Sequence, residues 1–272
     1  MEFKERQLAI VLLDLIGSTA FVQKVGARKA AEWLQYHDRL TRSLIYKFQG
    51  REIDRSDGFM LSFDRCIDAV NFGLHYQQSI PAKTKIQARI GIHWGAIIEV
   101  KQEELYIGVG AKGIELEGIS KNIAARTMSL CGAGQVLLTK EAMTVVKHRT
   151  NSFTPKGTRY ALAGEYRFKG VRETQIIYTV GATIESLQPP KGSDKVKRLG
   201  GAKRIKSRLR DKKFKELLWF ILSRTALIFV LYFLTVFVPF IIDPHKRLMS
   251  ELTYFAFIDP LIEFITKWIP GI

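Results

Sequence analysis

Residues 7–14, Gln-Leu-Ala-Ile-Val-Leu-Leu-Asp, form a short apolar run, β-branched in part and closed by a turn at Gly17. That is the pattern of a buried strand. From about 18 to 48 the apolar positions Phe21, Val25, Ala30, Trp33, Leu34, Leu40, Leu44 and Ile45 recur largely at three- and four-residue spacing. This predicts helix, with Gly26 able to divide it. Residues 51–63 read as two short strands around a turn near Ser56-Asp57-Gly58, and 66–78 return to the helical period, stopped before Pro81. Residues 85–92 alternate as a strand, Trp94-Gly95 marks a turn, and 96–100 resume the strand. Residues 101–113 are polar and Gly-rich, hence loop. Residues 120–131 are helical and end at Gly132 and Gly134. A strand at 136–139, a short helix at 140–147 and strands near 165–168 and 175–180 complete the pattern. Helices alternate with hairpin-like strand pairs. The expected class is therefore α+β, a mostly antiparallel sheet with helices packed on it, not a doubly wound parallel sheet.

The pattern changes after Thr183. Pro189, Pro190, Gly192 and Ser193 precede a basic run, so 184–215 are expected to be a linker between a folded domain at 1–183 and a different element at 216–272. Residues 217–242 are strongly apolar and carry one charge, Arg224, and 225–242 carry none. Such a length crosses most of a hydrocarbon core and is expected to be a transmembrane helix. Residues 248–270 are apolar but hold Glu251, Asp259, Glu263 and Lys267, which suits an amphipathic segment lying in the interface or a second hydrophobic pass.

Charge sharpens this. The net charge is +16, and residues 191–215 alone hold twelve Lys and Arg against Asp194 and Asp211. A basic run next to an apolar span marks a cytoplasmic juxtamembrane segment facing anionic lipid, and no nucleic-acid partner is expected. The expected location is the cell (inner) membrane, single-pass, with the folded domain in the cytoplasm. Cys66 and Cys131, the two cysteines of 272 residues, exclude a disulfide scaffold and a cysteine-rich zinc module. The charged start Met-Glu-Phe-Lys-Glu-Arg-Gln has the form of no signal peptide.

Candidate chemistry begins at Asp14. An acid at a strand end, followed by Leu-Ile-Gly-Ser-Thr and a helix, suits a divalent cation beside a phosphate; an Asp that caps the next helix has the same pattern. Asp57 lies in the turn Ser56-Asp57-Gly58-Phe59. Two converging acids can hold magnesium, though a single turn Asp is ordinary. Asn122 and Arg126 are four apart on one helix face, able to bind a phosphate and a ribose or simply to face solvent. Lys169, at a strand end before Gly170, can reach a terminal phosphate or stand as a surface lysine.

In this order the elements stop being independent. Asp14-Leu-Ile-Gly-Ser-Thr, Ser56-Asp57-Gly58-Phe59, Arg89-Ile-Gly-Ile-His-Trp-Gly95, Gly118-Ile-Ser-Lys-Asn-Ile-Ala-Ala-Arg126, Gly134-Gln-Val-Leu-Leu and Phe168-Lys169-Gly170-Val171 follow one another as in the class III nucleotidyl cyclase catalytic domain, the adenylate and guanylate cyclase family, which the chain resembles over about 6–181. The resemblance implies a ferredoxin-like core and a head-to-tail homodimer with its sites at the interface. It implies two divalent cations, Mg²⁺ or Mn²⁺, at Asp14, Leu15 and Asp57 of one subunit. Asn122 and Arg126 of the other would orient the ribose and stabilise the α-phosphate. Lys169 would bind the β- and γ-phosphates, and Gly17, Ser18, Thr19, Asp54 and Glu115 complete the substrate-binding set. His93 reads as a hydrogen-bonded histidine at a sheet edge, not as a base.

Three positions depart from the family pattern. Ile53 stands where adenylate cyclases carry a base-reading Lys, and a segment one residue short brings Asp54 into consideration for that place. Glu115 replaces their Asp, and Ser56 replaces the Gly before the second metal acid. A Glu accepts from the amino group of adenine, guanine or cytosine alike. The expected activity is cyclisation of a nucleoside triphosphate, most simply ATP, to a 3′,5′-cyclic nucleotide and pyrophosphate. A guanylate or pyrimidine cyclase, as in bacterial antiphage systems, and a membrane-tethered nucleotide-binding module without turnover are the alternatives.

Overall fold

The structure is a computed structural model that describes residues 2–56, 58–80, 86–147, 149, 153–201, 214–217, 219–226, 228, 230 and 234. The chain divides into two units, Met1–Ile205 and Lys206–Ile272.

In the first unit the described residues form nine strands in one sheet and six helices. Strand β1 (Glu2–Ile16) leads through α1 (Ser18–Val25) and α2 (Ala27–Lys47) to the hairpin of β2 (Arg51–Arg55) and β3 (Gly58–Phe63). Then come α3 (Cys66–Ser79), β4 (Gln87–Lys101), α4 (Glu104–Gly108), β5 (Ile114–Glu117) and α5 (Ile119–Leu130). The series closes with β6 (Val136–Thr139), α6 (Lys140–Val146), β7 (Arg159–Phe168), β8 (Gln175–Gly181) and β9 (Val196–Gly200). The strand order is β2-β3-β1-β4-β6-β8-β7-β9, with β5 also on β4. Each pairing is antiparallel except β4 with β6. The α+β class read from the sequence holds.

Period-two alternation on β1 sorts its side chains between two layers. Ala9, Val11, Leu13 and Leu15 enter the main core with Leu44 and Ile45 of α2, Phe72 and Tyr76 of α3, and Val146 of α6. Leu8 and Ile10 lie on the other face with Ile97, Leu116 and Ala124 of α5, and Leu12 packs against them. Asp14 continues that second series, so the strand's own pattern sends the acid to the α5 face.

Strand β4 corrects the expectation of a turn at Trp94-Gly95: it is one continuous strand, paired with β1 from residue 87 to residue 101. The glycines there serve close packing. A Cβ at Gly91 would fall inside the backbone of Met128 on α5, and one at Gly95 would meet the Ser120 hydroxyl and the His93 ring. The Ser120 hydroxyl donates to Ala96 O at 2.6 Å, which fastens the helix to the strand. The expected loop at 101–113 contains α4, and β5 after it pairs with the C-terminal half of β4.

The expected linker at 184–215 is ordered in its first half. Strand β9 adds to the β7 edge, with Val196 buried and Lys197 and Arg198 standing opposite Arg167 and Tyr166. Gln135 Nε2 donates to Gln188 O at 2.8 Å, and Tyr166 Oη donates to Pro190 O at 2.7 Å. Its prolines and lysines resemble a tether by composition alone, because an edge strand needs only one buried face.

In the second unit, the described residues from 214 to 234 are helical. Among the described residues no helix is long and apolar enough to cross a membrane. Residues 202–213 of the basic run, much of 217–242 and all of 248–270 lie outside them.

Candidate active site

Asp14 stands directly opposite Arg89 in the β1–β4 register. Opposed residues on one face of an antiparallel pair meet, and these carry opposite charge. Arg89 Nε and Nη2 donate to Asp14 Oδ2 at 2.9 and 2.5 Å, while the Leu15 amide donates to Oδ1 at 2.9 Å. The carboxylate is thus oriented from both sides. Leu15 itself is buried, its side chain in the main core. On the other edge of β1, Asp14 is opposite Gly58. A Cβ at Gly58 would overlap the Leu13 carbonyl, so only glycine lets the turn lie this close to the acid. Asp57, expected as the second metal acid, lies outside the described residues.

Asp14 and Arg89 open on a cavity of about 560 Å³, whose wall also includes Asp54, Ser56, Lys112 and Glu115. That volume is within the range of small-molecule sites. Strands β2 and β3 shift register between Glu52 and Asp54. Such a bulge re-aims side chains, and here Ile53 and Asp54, though consecutive, both line the cavity. Lys112 Nζ lies 2.5 Å from Asp54 Oδ1. Gln102 Nε2 donates to Glu115 Oε2 at 3.1 Å. Behind this wall, Arg55 grips Asp38 of α2 at 3.0 to 3.2 Å and donates to the Ser56 carbonyl, tying helix α2 to the turn.

The other expected residues gather elsewhere. Asn122 is exposed on α5, and Arg126 Nε donates to Lys169 O at 3.4 Å. The Lys169 amide is fixed in turn by Lys195 O at 2.9 Å. Neither Asn122, Arg126 nor Lys169 lines the Asp14 cavity, which α5 meets through Lys121 and Met128 instead. Gly17 caps α1 in the left-handed conformation, followed by half-buried Ser18 and exposed Thr19. One chain therefore carries two separate groups of candidate residues.

His93 sits on the central strand β4, not at a sheet edge. It is buried, with Nδ1 2.9 Å from the Thr139 hydroxyl. Burial pushes its pKa down to about 4, against a smaller upward pull from Glu141, so it is neutral at pH 7. The sequence motifs include Arg89 without giving it a role, and they include neither Lys112 nor Gln102. Arg89 alternates with Gly91 and Gly95 on β4, a visible signal once the strand is known to be unbroken. Lys112 had none, since only the course of the loop before β5 brings it to Asp54.

Among the described residues no three metal-binding side chains cluster. Magnesium needs less: one or two carboxylates, with phosphates and water supplying the rest. Asp14, oriented and facing the cavity, fits that mode.

The sequence matches the family described as the adenylate and guanylate cyclase catalytic domain over residues 3–182. No curated protein matches it. Solved structures with the same fold include the adenylyl cyclase CyaB from P. aeruginosa, at 18% identity and TM-score 0.57, covering 69% of this chain and 100% of that one. An adenylate cyclase from Trypanosoma brucei in its monomeric state is 21% identical with TM-score 0.53, covering 64% of this chain and 89% of that one. The guanylate cyclase domain of RhGC from Catenaria anguillulae, in complex with GTP, is 17% identical with TM-score 0.53, covering 66% and 98%. With about two thirds of its length inside the family match, this chain belongs to the adenylate and guanylate cyclase catalytic domain family.

Proposed function

We propose that this protein is a nucleotidyl cyclase that converts ATP to 3′,5′-cyclic AMP and pyrophosphate in a homodimer. The observation that carries the reading is the cavity that joins the oriented Asp14 carboxylate and Arg89 to the acceptors Asp54 and Glu115. Asp14, with Leu15 and Asp57, would hold divalent cations, which when bound supply charge neutralisation at the phosphates and acidify the 3′-hydroxyl. Arg89 adds a cation at the Asp14 end. Asn122 and Arg126 of the second subunit orient the ribose and stabilise charge on the α-phosphate, and Lys169 takes the terminal phosphates. The O3′–Pα bond forms as the bond from Pα to the bridging oxygen breaks. The hydroxyl proton leaves to solvent and pyrophosphate departs. Glu115 accepts from the adenine amino group. Exposed Leu105, Tyr106, Ile107 and Val109, just before Lys112, offer apolar surface for a second copy.

The test is incubation of the purified full-length protein with each of the four nucleoside triphosphates and Mg²⁺ or Mn²⁺, with products identified by mass spectrometry. Cyclic AMP should dominate, and EDTA should abolish it. Absence of cyclic product from all four would overturn the reading. A cyclic product other than cyclic AMP would retain the activity and replace the substrate.

The apolar stretch 217–242 and its basic flank support anchoring of this enzyme in the cell membrane with the catalytic domain in the cytoplasm, where its substrate is. Cell fractionation tests this: the full-length chain should pellet with membranes and resist extraction by high salt. Recovery in the soluble fraction without detergent would refute the anchor.

A further inference from the structure

We infer that Lys112 is the cationic donor that reads the base, replacing from the loop before β5 the lysine that position 53 lacks. The inference rests on the nucleotide-cyclising reading of this cavity and names how its specificity is set.

Ile53 offers no hydrogen bond, and the bulge between Glu52 and Asp54 turns the Asp54 carboxylate to the cavity as well. Asp54 and Glu115 line the cavity as acceptors, and of its other cations Arg89 is paired with Asp14 and Lys121 with Glu117, so a ring nitrogen beside Glu115 still needs a donor. Lys112 supplies one. It precedes Glu115 by three residues, lines the same cavity, and is held by Asp54 at 2.5 Å. Gln102 orients Glu115 through Oε2 and leaves Oε1 to accept. The wall thus offers an ammonium donor beside a carboxylate acceptor. Adenine presents the complement on one edge: N1 accepts from Lys112 while the N6 amino group donates to Glu115. Asp54 touches no base; it is a positioning residue that holds the lysine. Without Lys112 the wall becomes two carboxylates, which suits the N1–H and N2–H donors of guanine. A surface ion pair of no consequence would have the same geometry, so selectivity, not stability, distinguishes the two.

The experiment measures binding of the 3′-deoxy forms of ATP, GTP, CTP and UTP to the full-length protein by calorimetry. These lack the attacking hydroxyl, so affinity is read without turnover. The wild type should prefer the adenine form. Lys112→Ala should lower the adenine-to-guanine affinity ratio by roughly 10-fold or more, the loss of a charged hydrogen bond. Asp54→Asn should shift the ratio the same way by less, and the double variant should be no worse than Lys112→Ala alone. An unchanged ratio in Lys112→Ala, or equal weakening of all four ligands, overturns the inference. If the wild type binds but forms no cyclic product from the parent triphosphates, the proposed function fails while the ratio still decides the role of Lys112. If the wild type binds none of the four, both fail.

Discussion

Asp14→Asn and Asp14→Ala should each lose cyclase activity by on the order of 10³-fold, because in the proposed mechanism that carboxylate would hold the cation that supplies several kcal/mol of charge stabilisation at the phosphates. The fold should survive. Asp14 and Arg89 are both partly exposed, at 22% and 32%, so water can take over the guanidinium when its partner is removed. The stability cost should stay near 1 kcal/mol. Asn keeps one oxygen that can accept from Arg89 but turns an NH₂ toward the Leu15 amide, so it loses the charge and one acceptor while keeping the size of the side chain, which separates the metal role from packing. Activity assayed with saturating Mn²⁺ and thermal melting of the same samples check both halves. Turnover within 10-fold of wild type in both variants, with folding intact, would remove Asp14 from the metal site.

The sequence pattern made the fold legible where each segment answers to one demand. Residues 8–13 are apolar on both faces of a strand buried between two layers, and the helical region divides at Gly26, the helix breaker within it. The same logic misread Trp94-Gly95. Glycine signals a turn by its freedom, but here it is required by the approach of α5, a contact between segments about thirty residues apart. Residues 184–200 were hidden for a related reason. Their charges face solvent, and the buried Val196 and the hydrogen bonds to Pro190 and Gln188 leave no periodic trace. Within the site, Asp14 and Glu115 were legible because ordered motifs surround them. Arg89 depends on the strand register, and Lys112 on the path of a loop, neither of which local pattern encodes. The distribution of the site between two regions of one chain is implied by family resemblance alone; the structure adds that Asn122, Arg126 and Lys169 do not line the Asp14 cavity.

That separation leads to the second large effect. An Asp14→Ala chain and an Arg126→Ala chain should each be inactive alone and should regain activity when mixed. In the proposed symmetric homodimer each site would take Asp14 from one copy and Arg126 from the other. The mixed dimer then concentrates both lesions in one site and leaves the second intact. With free exchange, half of the dimers are mixed and each has one working site of two, so recovery should approach about a quarter of wild-type activity. Arg126 suits this test because its contact with the Lys169 carbonyl, at 3.4 Å, is long and half exposed, so its loss should leave α5 in place. Differently tagged chains, co-purified through both tags before assay, report whether mixed dimers exist. Their existence without recovered turnover would mean that Asp14 and Arg126 serve the same copy or different tasks. A site completed within one chain would then have to form by a movement of α5 across the strands to which Gly91 and Ser120 hold it.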